Sequence, residues 1–75
     1  MPEVLRIETG TFAIVEDGLW WPGIYDSAKA ALRATGFREG ALSQLQQRKN
    51  AETAGRPGVI TAEDLDALAG AAPGG

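Results

Sequence analysis

Residues 4–25 read VLRIETGTFAIVEDGLWWPGIY, and three short β-type runs stand out in them. Val4–Glu8 is followed by Thr9-Gly10, Thr11–Glu16 by Asp17-Gly18, and Leu19–Tyr25 completes the set. Asp-Gly between β-rich runs is a strong two-residue hairpin signal, because the tight turn that matches strand twist needs φ > 0 at both central positions. Thr9-Gly10 is a weaker form of the same signal. Together they predict a three-stranded antiparallel meander.

Two-residue loops also fix a register. They set Glu16 opposite Leu19 and Glu8 opposite Thr11. Counting outward, Leu5, Ile14 and Trp21 fall in one row, and Ile7, Phe12 and Gly23 in another. Side chains alternate between faces along a strand. One face then carries Leu5, Ile7, Phe12, Ile14, Trp21 and Tyr25, and is the expected core. The other carries Val4, Arg6, Val15 and Trp20, with Arg6 opposite Ala13. Pro22 lies on the third strand, at an edge, where proline is tolerated.

The rest of the chain is helical in pattern. Asp26-Ser27 caps a helix from Ala28 to Thr35, with Gly36 at its end and Ala28, Ala31, Leu32 and Thr35 as its inner stripe. A second helix runs from Arg38 or Glu39 to Lys49 on Leu42 and Leu45. Residues 50–58 read as a loop. Thr61-Ala62-Glu63-Asp64 resembles a capping box with aspartate in place of glutamate, opening a third helix that contains Leu65 and Leu68. The fold class is therefore α+β: a three-stranded antiparallel meander followed by two or three short helices. Residues 1–69 form a single small domain and 70–75 a flexible tail.

Composition narrows the function. The chain has 75 residues, no cysteine and no histidine. The commonest general base and the commonest metal ligand are thus missing together. Glu16 and Asp17 flank a turn, where acidic groups solvate the tip. Glu63, Asp64 and Asp66 sit in the first turn of a helix, where negative charge suits the macrodipole. Ser27 and Ser43 have no histidine to activate them, and Lys29 reads as solvated. The glycines fit neither the phosphate-loop nor the dinucleotide pattern. The expectation is a protein that is not an enzyme and holds no cofactor or metal. No stretch approaches a membrane span. Met1-Pro2-Glu3 lacks the features of a signal peptide, so the expected location is intracellular and cytoplasmic.

Trp20 and Trp21 are consecutive on one strand and must face opposite sides. Trp21 falls with the core row. Trp20, with Val4, Val15 and Arg6, forms a candidate protein-binding patch, since exposed apolar surface with a tryptophan marks binding sites. The competing expectation is that the C-terminal segment, through Val59, Ile60, Leu65 and Leu68, folds over Trp20. The net charge of −3 weighs against nucleic acid, which is held chiefly through phosphate neutralisation.

Residues 31–45, ALRATGFREGALSQL, resemble a helix-turn-helix, with Gly36 between the helices, Phe37 after it and apolar Leu42 and Leu45 beyond. That resemblance implies DNA contact by Arg38, Gln44, Gln47, Arg48 and Lys49, with Ser43 beside them. Residues 4–35, with Gly23-Ile24-Tyr25-Asp26-Ser27 leading into Ala30-Ala31, resemble the DNA-binding domain of plant ethylene-response factors. They are equally similar to the arm-binding domain of phage-type tyrosine integrases. Both resemblances imply DNA reading by the exposed sheet face, here Arg6 and Trp20. The short, alanine- and glycine-rich chain also resembles small proteins of phages and prophages. The favoured expectation is a non-catalytic protein-binding accessory or inhibitory module of that kind. The alternative is a small DNA-binding accessory or regulatory protein. The sequence leaves the oligomeric state open.

Overall fold

In the computed structural model, which describes residues 1–54 and 56–71, strand β1 is Glu3–Glu8, β2 is Thr11–Glu16 and β3 is Leu19–Trp20. They pair in the order β1-β2-β3, each antiparallel to the next. Helices α1 (Ala28–Ala34), α2 (Glu39–Glu52) and α3 (Ala62–Ala71) follow. The class is α+β, with the sequential meander that the turn residues predict.

The two hairpins differ at their turns. Asp17 and Gly18 both have positive φ, 54° and 78°. That is the twist-matching turn, and its register holds: Glu16 faces Leu19, Val15 faces Trp20, and the Trp21 N–H donates to the Ile14 carbonyl at 2.8 Å. In the first hairpin only Gly10 is positive, at 76°. Thr9 is β-branched and strongly resists φ > 0. A turn with one positive φ splays the strands, and a bulge restores the twist. The bulge lies between Arg6 and Glu8.

That bulge overturns the expected register of β1. Glu8 still faces Thr11, but beyond it Arg6 faces Phe12, Leu5 faces Ala13, Val4 faces Ile14 and Glu3 faces Val15. A slip of one residue sends every side chain to the other face. Leu5 is therefore not a neighbour of Ile14 in the core; it is 44% exposed, and Val4 packs against the core in its place.

A second irregularity follows β3. Phe12 and Tyr25 exchange both backbone bonds at 2.8 Å, so Tyr25, not Gly23, stands across from Phe12. The excess is two residues, which preserves parity, and Tyr25 remains on the core side, fully buried. Its hydroxyl donates to the Pro22 carbonyl at 2.8 Å. On its far side the chain adds one more extended segment: the Ile60 N–H donates to Ile24 at 2.7 Å and the Asp26 N–H to Ile60 at 3.1 Å, making a parallel bridge from Tyr25 to Ile60.

Ser27 caps α1 as expected, accepting the Ala30 N–H at 3.0 Å. The buried stripe is Ala30, Ala31 and Ala34, whereas the predicted stripe had Ala28, Leu32 and Thr35 beside Ala31. Leu32 is 66% exposed. Three alanines let α1 lie close against β1 and β2, and against α3. The bulk that Leu32 was expected to supply comes from Leu42 and Leu45 of α2 and from Ile60 and Leu65. The helix ends in a tightened turn, with Thr35, Gly36 and Phe37 donating to carbonyls three residues back.

Helix α2 runs past the predicted Lys49 to Glu52. The capping box at α3 is reciprocal: the Thr61 N–H donates to Asp64 Oδ2 at 2.9 Å, and the Asp64 N–H to Thr61 Oγ1 at 3.0 Å. Helix α3 takes in Gly70 and Ala71 from the stretch expected to be a tail; residues 72–75 of that stretch lie outside the described residues. No helix among the described residues is long and apolar enough to cross a membrane.

Candidate protein-binding face

The helices cover one side of the sheet, and the alternation of β2 decides what lies on the other. Phe12 and Ile14 point to the core side. Ala13 and Val15 therefore point to the outer side. Trp20 stands across from Val15 on β3, and Leu5 across from Ala13 on β1. Trp20 is 64% exposed, Val15 is half-buried, and Ala13 is buried beneath its larger neighbours. The outer face thus carries an apolar strip of Trp20, Val15, Ala13 and Leu5, with Glu3 at its rim.

Four residues were expected here, and two of them are in place. Trp20 and Val15 are cross-strand partners. Val4 is on the opposite face, against Ile14, and Arg6 faces Phe12 rather than Ala13. The cause is the bulge. It moves Leu5 into the position expected for Arg6 and Glu3 into that expected for Val4, and leaves Arg6 exposed across from Phe12. Trp21 is half-buried against the core, and its indole N–H donates to Glu16 Oε1 at 3.2 Å.

The expected cover over Trp20 lies elsewhere. Ile60 pairs beside Tyr25, and Leu65 packs into the core with the alanines of α1. Among the described residues the C-terminal segment docks on the helical side, and Trp20 stays open.

The residues proposed for DNA divide into two sets. Gln44, Gln47 and Arg48 are exposed along the outward side of α2, and Arg38 is exposed at its N-cap. Lys49 is on the other side. Its ammonium lies 3.0 Å from Asp64 Oδ2 and 3.9 Å from Glu52 Oε1, and its side chain is largely covered. Burial works against the charge of Asp64. The Thr61 backbone N–H, together with the hydrogen bond and charge of Lys49, outweighs it and holds the carboxyl below the usual aspartate range. Leu45, Arg48, Lys49, Asp64 and Leu68 line a groove of about 310 Å³ between α2 and α3.

One organising residue has no signal in the sequence pattern. Gln46 Oε1 accepts the Ile24 N–H at 2.7 Å, while its Nε2 donates to the Gly58 carbonyl at 2.6 Å and to Asn50 Oδ1 at 2.9 Å. Asn50 Oδ1 also accepts the Gly58 N–H at 2.7 Å. The pair fastens α2 to the two strand-like segments that pair through Tyr25 and Ile60. Gly58 comes so close to Lys49 that an added Cβ would collide with the Lys49 backbone. No protein-family model, curated protein or solved structure matches the chain.

Proposed function

We propose that this chain is a non-catalytic protein-binding module, an accessory or inhibitory protein whose contact surface is the outer face of the sheet around Trp20. The observation that carries the proposal is the exposure of Trp20 on a face that the described helices leave open. A tryptophan at 64% exposure presents a large apolar area held by only two side-chain torsions. Its neighbours extend that area without a gap: Val15 lies directly across from it, with Ala13 and Leu5 beyond. Glu3, across from Val15, supplies a charged group at the margin, as the rims of binding patches do. The lack of histidine and cysteine in the sequence agrees with a role in binding rather than chemistry.

The test is capture with and without the indole. Immobilised protein and its Trp20→Ala variant are compared for retained proteins from the native host, with circular dichroism as the check on folding. A partner retained by the parent and lost by the folded variant supports the reading. Equal retention by both removes it.

A second reading keeps DNA as the ligand. Its support is the row of Gln44, Gln47 and Arg48 on the outward side of a 14-residue helix. The engagement of Lys49 with Asp64 and the net charge of −3 weaken it. A mobility shift at low salt that is lost in Arg48→Ala would favour it over protein binding.

A further inference from the structure

We propose that β1 docks antiparallel against β1 of a second copy of this chain, joining the two three-stranded sheets into one six-stranded sheet with Leu5 on the two-fold axis. The inference rests on the open edge of β1 and shares only Leu5 with the face around Trp20.

It begins with the direction of the peptide groups. Phe12 exchanges both backbone bonds with Tyr25, and Ile14 accepts the Trp21 N–H, so the N–H and C=O groups of Phe12 and Ile14 point to the β3 side. Along a strand these directions alternate. The groups of Ala13 and Val15 therefore point toward β1, where they meet Leu5 and Glu3. It follows that the N–H and C=O of Val4 and Arg6 point outward, because β1 is the outermost strand. An edge of this kind is a template for another strand.

The sequence of β1 restricts what can pair there. Outward-pointing groups must meet outward-pointing groups, so Val4 and Arg6 must face Val4 or Arg6. With Leu5 opposite Leu5, Val4 of each copy faces Arg6 of the other, and each such pair exchanges both of its bonds. Moving the centre one way sets Arg6 against Arg6, with like charges directly opposed. Moving it the other way sets Arg6 against Pro2, which has no N–H to give. In the register that remains, Glu3 faces Ile7, and no like charges are opposed.

The apolar surface agrees. Met1, Leu5, Ile7 and Leu32 are among the exposed large hydrophobic residues. Met1 adjoins β1, Leu5 and Ile7 are on it, and Leu32 is on α1, which lies against it. A two-fold contact through β1 brings the two Leu5 side chains together on the outer face. They join the strips of Ala13, Val15 and Trp20 from both copies.

The chain has no cysteine, so one introduced thiol reports on the axis. Residues opposite each other in a pair without hydrogen bonds have Cα atoms about 4.5 Å apart. That separation is within disulfide range. Leu5→Cys should oxidise to a covalent dimer under mild oxidant. Glu3→Cys, also exposed but far from its counterpart in the second copy, should do so many times more slowly. The parent should sediment as a dimer at high concentration. Arg6→Pro removes an outward donor and leaves the bonds to β2 in place, so it should sediment as a monomer. Leu5→Lys, at an exposed site, should do the same with its circular dichroism unchanged, and it decides the matter should the proline variant not fold. A parent that remains monomeric at millimolar concentration overturns the proposal. So does a dimer that survives Leu5→Lys, or a Leu5→Cys variant that crosslinks no faster than Glu3→Cys.

Discussion

Gln46 accepts the backbone N–H of Ile24 at 2.7 Å, across 22 residues of sequence. The same side chain donates to the Gly58 carbonyl, so a single amide bridges the two strand-like segments that pair through Tyr25 and Ile60. Removing it leaves a partly buried donor and acceptor without partners. Gln46→Leu should cost about 1–3 kcal/mol, the price of an unsatisfied buried polar group. Gln47→Leu, one residue on and exposed, should stay within about 0.5 kcal/mol. Urea midpoints of the two variants check the contrast.

The register of β1 has its own test. Val4 packs against the core across from Ile14, and Leu5 faces outward across from Ala13. Val4→Ala should lower stability by about 1–2 kcal/mol, from two methyl groups partly returned to water. Leu5→Ala, measured in dilute solution, should cost about 0.5 kcal/mol or less. The reverse order would restore the unbulged hairpin.

The contrast between the two turns explains how much of the fold is legible. Asp-Gly states its geometry outright, because aspartate tolerates φ > 0 and glycine prefers it; β2 and β3 pair as counted. Thr-Gly gives the loop length but not the turn type, and the bulge that follows is invisible to counting. The caps at Ser27 and Thr61 are local and therefore legible. The inner stripe of α1 is not, because Leu32 and Ala34 differ in hydrophobicity in the opposite sense to their burial, and only the close approach to the sheet favours the smaller residue. Trp20 and Val15 were legible as a patch because their hairpin was. Gln46 was not, since its partners are distant in sequence.

Tyr25 is the sole tyrosine, and burial pushes its phenol up to about 12. A raised folded value means that the fold favours the neutral phenol. This contribution is complete below the unfolded value of about 10 and is lost as pH rises from there toward 12. Absorbance at the phenolate band should show no ionisation through about pH 10.5, then a rise coincident with loss of ellipticity. A phenolate appearing near pH 10 in folded protein would place Tyr25 in contact with solvent.

Asp64 gives the opposite slope at the acid end. Its folded carboxyl is held below the ordinary aspartate range by the Thr61 N–H and by Lys49. A depressed value contributes stability above the unfolded value of about 4, and that contribution is lost as pH falls through the folded one. Lys49→Met should therefore destabilise at neutral pH and converge on the parent in acid. Urea midpoints measured at about pH 7 and about pH 2.5 give the comparison. A constant difference at both would show that Lys49 acts through packing alone.

Trp20 can be examined without knowing its partner. The chain has two tryptophans, so Trp21→Phe leaves Trp20 as the single indole. The substitution removes one hydrogen bond, from the Trp21 indole to Glu16, and keeps an aromatic ring against the core. Emission from this variant should be red-shifted and readily quenched by iodide, because Trp20 is open on the outer face. In the β1-linked dimer Trp20 lies at the outer limits of the joined sheet, two strands from the axis, so its quenching should not change with protein concentration. Adding a captured partner should shift the emission to the blue and protect it. Blue emission and weak quenching in the protein alone would mean that another part of the chain covers the ring, and the outer face would then lose its claim as the contact surface.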